Sequence, residues 1–434
     1  MGVTQVASPE RGLLWPVVGA AVLVLAPALV LAPTITLAVA AAGLLAAAVV
    51  VRPQIAAYLL LATTPLIVGM DRGSVLPVLR PSEALGLLLG AALLCRGLVR
   101  LGSGERLRAR CTKLDGSIVL LAVTSSVVPL LWMMVRRRPI TTDDLLYALT
   151  LWKFFGIYLI VKASVRTEAQ VRRCLWLSMG AAGIVAVIAI LQALQLFNVP
   201  GLLSTYYAPF GEEGALGINR GTSTLASSIA TGDLMAFNLG VAMAWLFRGG
   251  GRRSVLLGAV ALFVVGGLAS GQFSGVIAVI VVVASVGLLT GRLSRTALAT
   301  LPVALVGGVL LQPVIERRLR GFQSGRGLPP SWLGRLENLR TYFWPELFSN
   351  GNFLLGVRPA ARVPAPELWR QYVWIESGHT WLLWNGGVPL LVAFFVFLWT
   401  SLRTAAHVAR TRDDAVGVAA TAGFSALVAV AVLM

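Results

Sequence analysis

The chain has 434 residues, of which 57% are hydrophobic and only 12% are charged. A soluble domain of this length needs far more charged surface, so the composition excludes a soluble globular protein and indicates a membrane protein. The net charge of +18 does not indicate a nucleic-acid partner, because the arginines are spread through short segments between apolar runs and are not gathered on one face.

Apolar runs long enough to cross a bilayer recur along most of the chain. A spanning helix needs roughly 20 predominantly apolar residues, and runs of this length favour helices over barrel strands. The predicted spans are 13–32, 34–51, 54–70, 82–99, 116–135, 145–162, 174–196, 224–246, 255–269, 273–291, 297–315, 380–402 and 415–434. The first run is interpreted as a retained helix, since another apolar run follows directly after Pro33. The sequence therefore predicts an all-α polytopic protein with about 12–13 transmembrane helices.

Short basic segments follow every second predicted span. With the N-terminus in the cytoplasm, the positive-inside rule is met by Arg52, Arg96–Lys113, Lys162–Arg173, Arg248–Arg253, Arg292–Arg295 and Arg403–Arg412. The three cysteines, Cys95, Cys111 and Cys174, lie in or beside helices on that side, where thiols stay reduced, so neither disulfides nor a cysteine metal site is expected. Nearly all basic residues are Arg, and Ala, Gly and Val abound, as is typical of GC-rich bacteria. These features predict a multi-pass protein of the bacterial cytoplasmic (inner) membrane.

One external loop is far longer than the others and divides the chain into three parts. Residues 1–315 hold predicted helices 1–11, residues 316–378 form the loop with short amphipathic helices, and residues 379–434 hold the C-terminal helices. The external segments contain arginines that break the positive-inside rule: Arg72, Arg80, Arg136, Arg137, Arg138, Arg220 and nine residues between Arg317 and Arg370. Two interpretations stay open. In the first, a long loop is translocated regardless of its charge, and its arginines pair with anionic lipid headgroups. In the second, the arginines bind a multiply charged anion such as pyrophosphate.

The external segment before the span at 224–246 ends in the sequence NRGTSTLASSIATGD, residues 219–233. Its hydroxyl residues Thr222, Ser223, Thr224, Ser227 and Ser228 can cap the helix and bind a polar ligand, and Arg220 lies just before them. Alternatively, the small residues only permit close helix packing. Asp233 and Lys153 are predicted to lie within the bilayer, where an ionisable residue is costly. Each residue is therefore a candidate for a functional role. Alternatively, its side chain reaches the membrane surface or forms an ion pair.

The long loop contains an apolar stripe at helical spacing. In GRLENLRTYFWPELF, residues 334–348, the stripe is formed by Leu336, Leu339, Tyr342 and Phe343. It predicts an amphipathic helix along the outer membrane–water boundary. The aromatic sequence LWRQYVW, residues 368–374, fits either anchoring at the interface or a surface on which sugar rings stack.

The loop enters the next helix through ESGHTWLLWNGGVPLLVAFF, residues 376–395. Glu376 and His379 are three residues apart, so they share one face if the helix has already begun at Glu376. A carboxylate and an imidazole at the membrane surface can act as general base for a sugar hydroxyl. The alternative is an ordinary helix N-terminus, where an acid offsets the helix dipole.

Taken in order, these segments resemble the O-antigen ligase and O-antigen polymerase family of bacterial envelope proteins. The resemblance covers most of the chain. It rests on LRPSEALGLLLGAALL (79–94), the NRGTSTLA segment, an external loop with Arg335, Arg340, Trp344 and LLGV (354–357), and a polar pair before a helix with a glycine pair and Pro389. These motifs are specific only through their order and spacing.

The resemblance implies a membrane glycosyltransferase that acts outside the cytoplasm. Such an enzyme transfers or polymerises a polyprenyl-pyrophosphate-linked oligosaccharide onto a sugar or glycolipid acceptor, without a metal or other cofactor. External arginines would hold the pyrophosphate, and the candidates are Arg220, Arg335, Arg340 and Arg358. The base would be Glu376 or His379.

Two positions depart from the family's pattern. Glu376 and Ser377 stand where the ligases have a His followed by Asn, Ser or Gln, and Gln272 and Phe273 replace a Ser–Arg pair. The acidic residue favours the polymerase branch. A transporter or flippase of lipid-linked glycans is the main alternative, since about twelve helices is a common transporter size, and a membrane scaffold is a third possibility.

Overall fold

The computed structural model describes residues 33–71, 79–105, 111–207, 220–320, 330–366 and 371–434. Within these ranges the fold is helical except for one two-stranded sheet. Nine described helical segments are long and apolar enough to span a membrane, and three shorter apolar helices accompany them. The chain is therefore a polytopic, all-α membrane protein, as the sequence predicts. The predicted span 13–32 and the aromatic residues 368–370 lie outside the described residues.

The helices are numbered in chain order. They are α1 (Pro33–Val51), α2 (Gln54–Ile67), α3 (Pro81–Gly102), α4 (Lys113–Val135), α5 (Thr142–Ala148), α6 (Thr150–Ser164), α7 (Glu168–Ala193), α8 (Val199–Tyr206), α9 (Ser228–Arg248), α10 (Arg253–Ala269), α11 (Phe273–Thr290), α12 (Leu293–Leu310), α13 (Gln312–Arg320), α14 (Pro330–Asn338), α15 (Trp344–Phe348), α16 (Asn352–Leu355), α17 (Gly378–Thr411) and α18 (Ala415–Leu433). A π-helical turn, Leu339–Phe343, joins α14 to α15, and the strands are β1 (Arg362–Pro364) and β2 (Tyr372–Trp374).

The predicted spans from 34–51 onward correspond to described helices within a few residues at most ends. Two spans differ. The predicted span 145–162 begins earlier, at Thr142, because Thr141 and Asp144 form a capping box, and it is interrupted at Leu149. The predicted span 297–315 ends at Leu310, since Pro313 has no backbone N–H with which to continue helix α12.

Contacts between helix ends identify two opposite faces of the helical bundle. At the face that carries residues 330–377, called the loop face here, the Tyr207 hydroxyl donates to the Leu66 carbonyl at 2.8 Å. At the opposite face, Arg248 Nη1 donates to Asp413 Oδ1 at 2.9 Å and thereby joins α9 to the turn between α17 and α18. Helices α9 and α17 therefore end at the same face, opposite the loop face.

The centre of the helical bundle is α9. Its side chains Met235, Leu239 and Met243 are fully buried, and they pack with Phe263 of α10 and Val282 of α11 in one apolar cluster. A helix that is apolar on all sides and enclosed by neighbours forms the core of a membrane bundle. The loop-face end of α9, with residues 222–227 before it, is consequently surrounded by protein.

Residues 330–366 and 371–377, called the loop unit here, pack around an apolar core to which Trp384 of α17 also belongs. Phe343 and Leu347 are almost completely buried, and the Phe343 ring meets the Trp384 ring edge to face at 5.2 Å between centroids. Strands β1 and β2 pair antiparallel beside this core, with Val363 opposite Val373. The apolar stripe of the predicted amphipathic helix lies on α14 and the π-helical turn, where Leu339 and Phe343 are buried in the core of the loop unit and Tyr342 packs against them. Its position along the membrane boundary stays a prediction.

Helix α17 breaks at Gly387, where the loop unit meets the bundle. Gly387 has φ 64° and ψ −156°, a conformation that is almost exclusive to glycine. The break frees the Trp384 carbonyl, which accepts hydrogen bonds from the N–H groups of Val357 at 2.7 Å and Arg358 at 3.3 Å. The Trp384 indole N–H donates to the Ala360 carbonyl at 3.0 Å. The first turns of α17 are therefore bonded to the loop.

Candidate functional site

The structure brings two of the predicted site residues into direct contact. Arg335 Nε donates to Glu376 Oε2 at 2.7 Å, and the two side chains are 33% and 48% exposed. Arg335 comes from α14, whereas Glu376 follows β2, so the folding of the loop places them together. Because both side chains are open to solvent, a ligand at the loop face can reach either of them.

His379 lies in the first turn of α17, three residues after Glu376. The helix begins only at Gly378, and Ser377 is its N-cap, with a hydroxyl that accepts from the Thr380 N–H at 3.4 Å. Glu376 therefore precedes the helix. The sequence predicted a shared helical face for Glu376 and His379 only if the helix had begun at Glu376, and that condition is not met. The His379 side chain is exposed.

Arg340 lies on the π-helical turn between α14 and α15. A π-turn is an uncommon structure that is frequently found at functional sites. The Arg340 side chain is exposed, and no residue in the described parts of the chain forms an ion pair with it. Its guanidinium is thus available to an anion. Trp344 follows on α15, and its indole N–H reaches the Thr380 hydroxyl at 3.4 Å.

Arg358 is committed to a partner within the protein. Its Nε and Nη2 donate to the two carboxylate oxygens of Asp144 at 2.8 and 2.6 Å, and Nη2 also donates to the Thr141 hydroxyl at 3.1 Å. These bonds to Asp144 raise the pKa of the Arg358 guanidinium above its ordinary value, although burial opposes the shift. The Asp144 side chain is fully buried. Arg358 therefore fastens the loop to α5 and, unlike Arg335, does not offer a free fork to a ligand.

A second ion pair reinforces this attachment. Arg362 of β1 donates through Nε to Asp143 Oδ2 at 2.7 Å, and its guanidinium carbon lies 4.4 Å from the centre of the Tyr372 ring. Asp143 and Asp144 thus bind two arginines of one short loop segment. The sequence analysis did not single out either acid, since two acids in a helix's first turn also have an ordinary role beside the helix dipole.

Arg136 and Arg138, at the end of α4, also contact the loop unit. Arg136 Nη1 donates to Asn352 Oδ1, and Arg138 Nη1 forms an ion pair with Glu346. Burial, and then the charge of Arg138, lower the pKa of the Arg136 guanidinium. Their only sequence signal was their position at the external end of a predicted span, and they were not included among the candidate site residues.

The hydroxyl groups of Thr222 and Thr224, in the 219–233 sequence, form hydrogen bonds inside the bundle. Residues 222–226 form a tight turn between α2, α7 and α9, where Gln192 donates to the Thr222 hydroxyl at 2.9 Å and accepts from the Ser223 N–H at 2.8 Å. The Thr224 hydroxyl donates to the Pro65 carbonyl at 2.8 Å. Only Ser227 caps α9, through a bond from the Ala230 N–H. Close packing, the alternative interpretation of this segment, therefore accounts for its buried hydroxyls.

The remaining predicted residues lie elsewhere on or within the bundle. Arg220 is half-buried and precedes Gly221, whose N–H donates to the Ala269 carbonyl at 2.8 Å. Lys153 pairs with Glu83 at 3.3 Å, so it is one half of an ion pair between α6 and α3. Asp233 lies on α9 and is half-buried.

No group of three or more His, Cys, Asp and Glu side chains in the described part of the chain is arranged to hold a metal ion. No protein-family model matches the sequence, and neither the curated proteins nor the solved structures contain a match. The chemistry of the site is therefore argued from its own residues: one exposed arginine–carboxylate pair, one arginine without a described ionic partner, and one exposed imidazole.

Proposed function

We propose that this protein is a membrane glycosyltransferase of the surface polysaccharide polymerase or ligase type. It transfers or polymerises a polyprenyl-pyrophosphate-linked oligosaccharide onto an acceptor sugar hydroxyl at the loop face, which we assign to the outside of the cytoplasmic membrane. The observation that carries the proposal is the contact between Arg335 and Glu376 at the exposed surface of the loop unit. A glycosyl transfer from a diphosphate donor needs a cation for the leaving group and a base for the acceptor, and this pair supplies both.

Arginine is well suited to the donor. Its planar fork binds phosphate oxygens through two parallel hydrogen bonds and stays charged at every physiological pH. Arg335 and Arg340 lie five residues apart on one continuous helical segment at the surface of the loop unit. Two such cations can stabilise the negative charge that develops on the departing diphosphate. Arg358 acts indirectly, by holding the loop in place.

The reaction then needs only one proton acceptor. The acceptor hydroxyl oxygen forms a bond to the anomeric carbon while the bond from that carbon to the diphosphate oxygen breaks, and the electron pair leaves with the polyprenyl diphosphate. The hydroxyl proton passes to Glu376, which we favour as the base because it contacts the arginine that would bind the leaving group. His379 is the second candidate for this role.

Donor binding and base activation are linked by this geometry. In the protein without donor, Arg335 and Glu376 form an ion pair with each other. A diphosphate that binds Arg335 competes with the carboxylate and leaves Glu376 able to accept a hydrogen bond from a sugar hydroxyl. The base is thus released when the donor is in place.

A lipid-linked glycan transporter or flippase is the second candidate function. Transporters often have interrupted helices near their substrate sites, and this chain has an irregular turn at residues 222–226 and a break at Gly387. However, the hydroxyls of the irregular turn bond to Gln192 and to the carbonyls of Val185 and Pro65. The Gly387 break frees a carbonyl that bonds to the loop. Both interruptions are accounted for by packing, which favours the transferase.

A reconstituted assay separates the two functions. Purified protein in liposomes is given a polyprenyl-diphosphate oligosaccharide, and both chain length and released polyprenyl diphosphate are measured. The transferase yields longer glycans and free carrier, and Arg340→Ala and Glu376→Gln abolish both products. Arg410→Ala, at the opposite end of α17, is the matched control and retains activity. Movement of intact donor across the bilayer without either product would instead establish the flippase.

A further inference from the structure

An apolar pocket opens at the loop-face end of α4, outside the Arg335–Glu376 contact. Its volume is about 480 Å³, and its lining includes Trp132, Leu354, Leu355, Val388 and Pro389. This volume is typical of pockets that hold small molecules or single chains. The lining joins three parts of the protein: helix α4, helix α16 of the loop unit, and helix α17 just after its break.

The pocket is continuous with apolar surface that faces the surrounding membrane. Leu131 and Val135 on α4 are 56% and 72% exposed, and Leu354 and Val388 in the pocket are 52% and 38% exposed. Apolar side chains exposed to this extent at the end of a spanning helix match the hydrocarbon of a bilayer better than they match water. An occupant therefore enters from the lipid.

A cation stands at the rim of this pocket. Arg136 follows Trp132 by one helical turn, and its guanidinium carbon lies 5.6 Å from the centre of the Trp132 ring. Asn352, which is fully buried, accepts a hydrogen bond from Arg136 Nη1 and donates through Nδ2 to the Glu346 carbonyl at 2.7 Å. The guanidinium is thus held in place by a neutral partner, and its charge is left uncompensated by that contact.

The local charge favours an anion. Three arginines, Arg136 to Arg138, stand together at the end of α4, and the ion pair that the described residues give them is the one between Arg138 and Glu346. Burial, and after it the neighbouring charge of Arg138, lower the pKa of the Arg136 guanidinium, while the charge of Glu346 opposes the shift. A phosphate group at Arg136 would offset the positive charge of these arginines.

We propose that this pocket binds an anionic phospholipid from the surrounding membrane, with one acyl chain in the pocket and the phosphodiester on Arg136. The apolar lining matches a hydrocarbon chain. The Arg136 guanidinium, held by Asn352, carries one positive charge and therefore matches a monoanionic phosphodiester better than it matches a diphosphate. The bound lipid would bridge α4, α16 and α17 and so fix the loop unit against the bundle. The proposal does not depend on the transferase reaction.

The test measures lipid binding by purified protein in a neutral detergent. Phosphatidylglycerol and phosphatidylcholine with identical chains are compared by native mass spectrometry and by the shift in melting temperature. Wild type is expected to retain phosphatidylglycerol and to melt at higher temperature with it than with phosphatidylcholine. Arg136→Gln removes a hydrogen bond to a charged group and should weaken phosphatidylglycerol binding roughly tenfold or more.

The matched control is Arg137→Gln, which removes the same charge from an exposed neighbouring residue and should leave binding unchanged. If Arg136→Gln does not fold, Leu354→Trp decides the matter, since it fills the pocket from an exposed position and should also weaken phosphatidylglycerol binding. Equal stabilisation by phosphatidylcholine, equal effects of the two arginine variants, or unchanged binding in Leu354→Trp would each overturn the proposal. Displacement of phosphatidylglycerol by equimolar polyprenyl phosphate would overturn the choice of lipid.

Discussion

Arg335 and Glu376 are 41 residues apart in the chain and form an ion pair of 2.7 Å at the exposed surface of the loop unit. Exposed pairs of this kind stabilise a fold by less than about 1 kcal/mol, because solvent screens them. The contribution of this ion pair to stability is therefore small. A chemical role for the two side chains is the hypothesis tested below.

Reversing the pair separates its structural role from its chemical role. Arg335→Glu combined with Glu376→Arg preserves the ion pair, so the melting temperature should stay within a few degrees of wild type. Transfer activity should be lost, since the cation and the carboxylate have exchanged positions relative to donor and acceptor. Glycan elongation and thermal unfolding are measured on the same preparations. Restored activity in the double variant would show that the pair is merely structural.

Single substitutions at the two candidate bases should have unequal effects. Glu376→Gln keeps the side-chain volume and removes the proton acceptor, so turnover should fall by roughly 10²–10⁴-fold, the usual contribution of a general base. His379→Gln should reduce turnover by less than about tenfold, because we assign His379 no proton transfer. Initial rates of carrier release at saturating donor give the comparison, and the opposite ranking would assign the base to His379.

The Arg358–Asp144 pair should carry most of the attachment of the loop unit. Asp144→Asn leaves the Arg358 charge without its buried counter-ion, and the expected cost is about 3 kcal/mol, the lower end for breaking a buried ion pair, since Arg358 is 27% exposed. Asp143→Asn is the matched control: its pair with Arg362 is about one-third exposed on each side, and it should cost less than about 1 kcal/mol. Thermal unfolding and protease sensitivity of residues 330–377 measure the difference.

The break in α17 should tolerate no side chain. A Cβ atom at Gly387 would lie 2.5 Å from the Leu354 carbonyl oxygen and 2.6 Å from the Gly356 nitrogen, and the backbone conformation alone disfavours alanine by about 1–3 kcal/mol. We expect Gly387→Ala to lower the melting temperature strongly and to expose the loop unit to protease. Gly258→Ala in α10, where a Cβ meets nothing within 4 Å, is the control and should behave as wild type.

The assignment of the loop face to the outside can be tested in cells. In a cysteine-free background, Arg137→Cys at the loop face should react with a membrane-impermeant maleimide, whereas Arg410→Cys at the opposite face should react only after the membrane is permeabilised. Both side chains are exposed, so access to the reagent depends on sidedness alone. Labelling of the Arg410 position in intact cells would reverse the orientation.

The helices of the bundle could be predicted because each is a local property of the sequence. An apolar run such as 273–291 needs no knowledge of its neighbours to be assigned as a helix, and α11 spans Phe273–Thr290. The interruption at Gly387 could not be found in this way. It exists because the backbone of residues 354–356 approaches the helix closely, and that contact depends on the fold of the loop.

The site was harder to predict than the fold, because arginines are alike in sequence and differ in their partners. Arg335 and Arg358 are both arginines of one long loop, yet one pairs with an exposed glutamate and the other with the buried Asp144, 214 residues away. The chain gives no local signal for such partners. Arg136 was noted as an external arginine but was not chosen as a site residue for the same reason, since its environment is built by Asn352 and Trp132 together.

The hydrogen bonds around Trp384 have a consequence for how this protein can be divided experimentally. By chain order, residues 378–386 begin a transmembrane helix, but their carbonyl and indole groups bond to Val357, Arg358 and Ala360, and the Trp384 ring fills the core around Phe343. A soluble fragment cut where the helix begins would lose the central aromatic ring of its core. The excisable unit instead extends to Gly387, and it carries His379 with it.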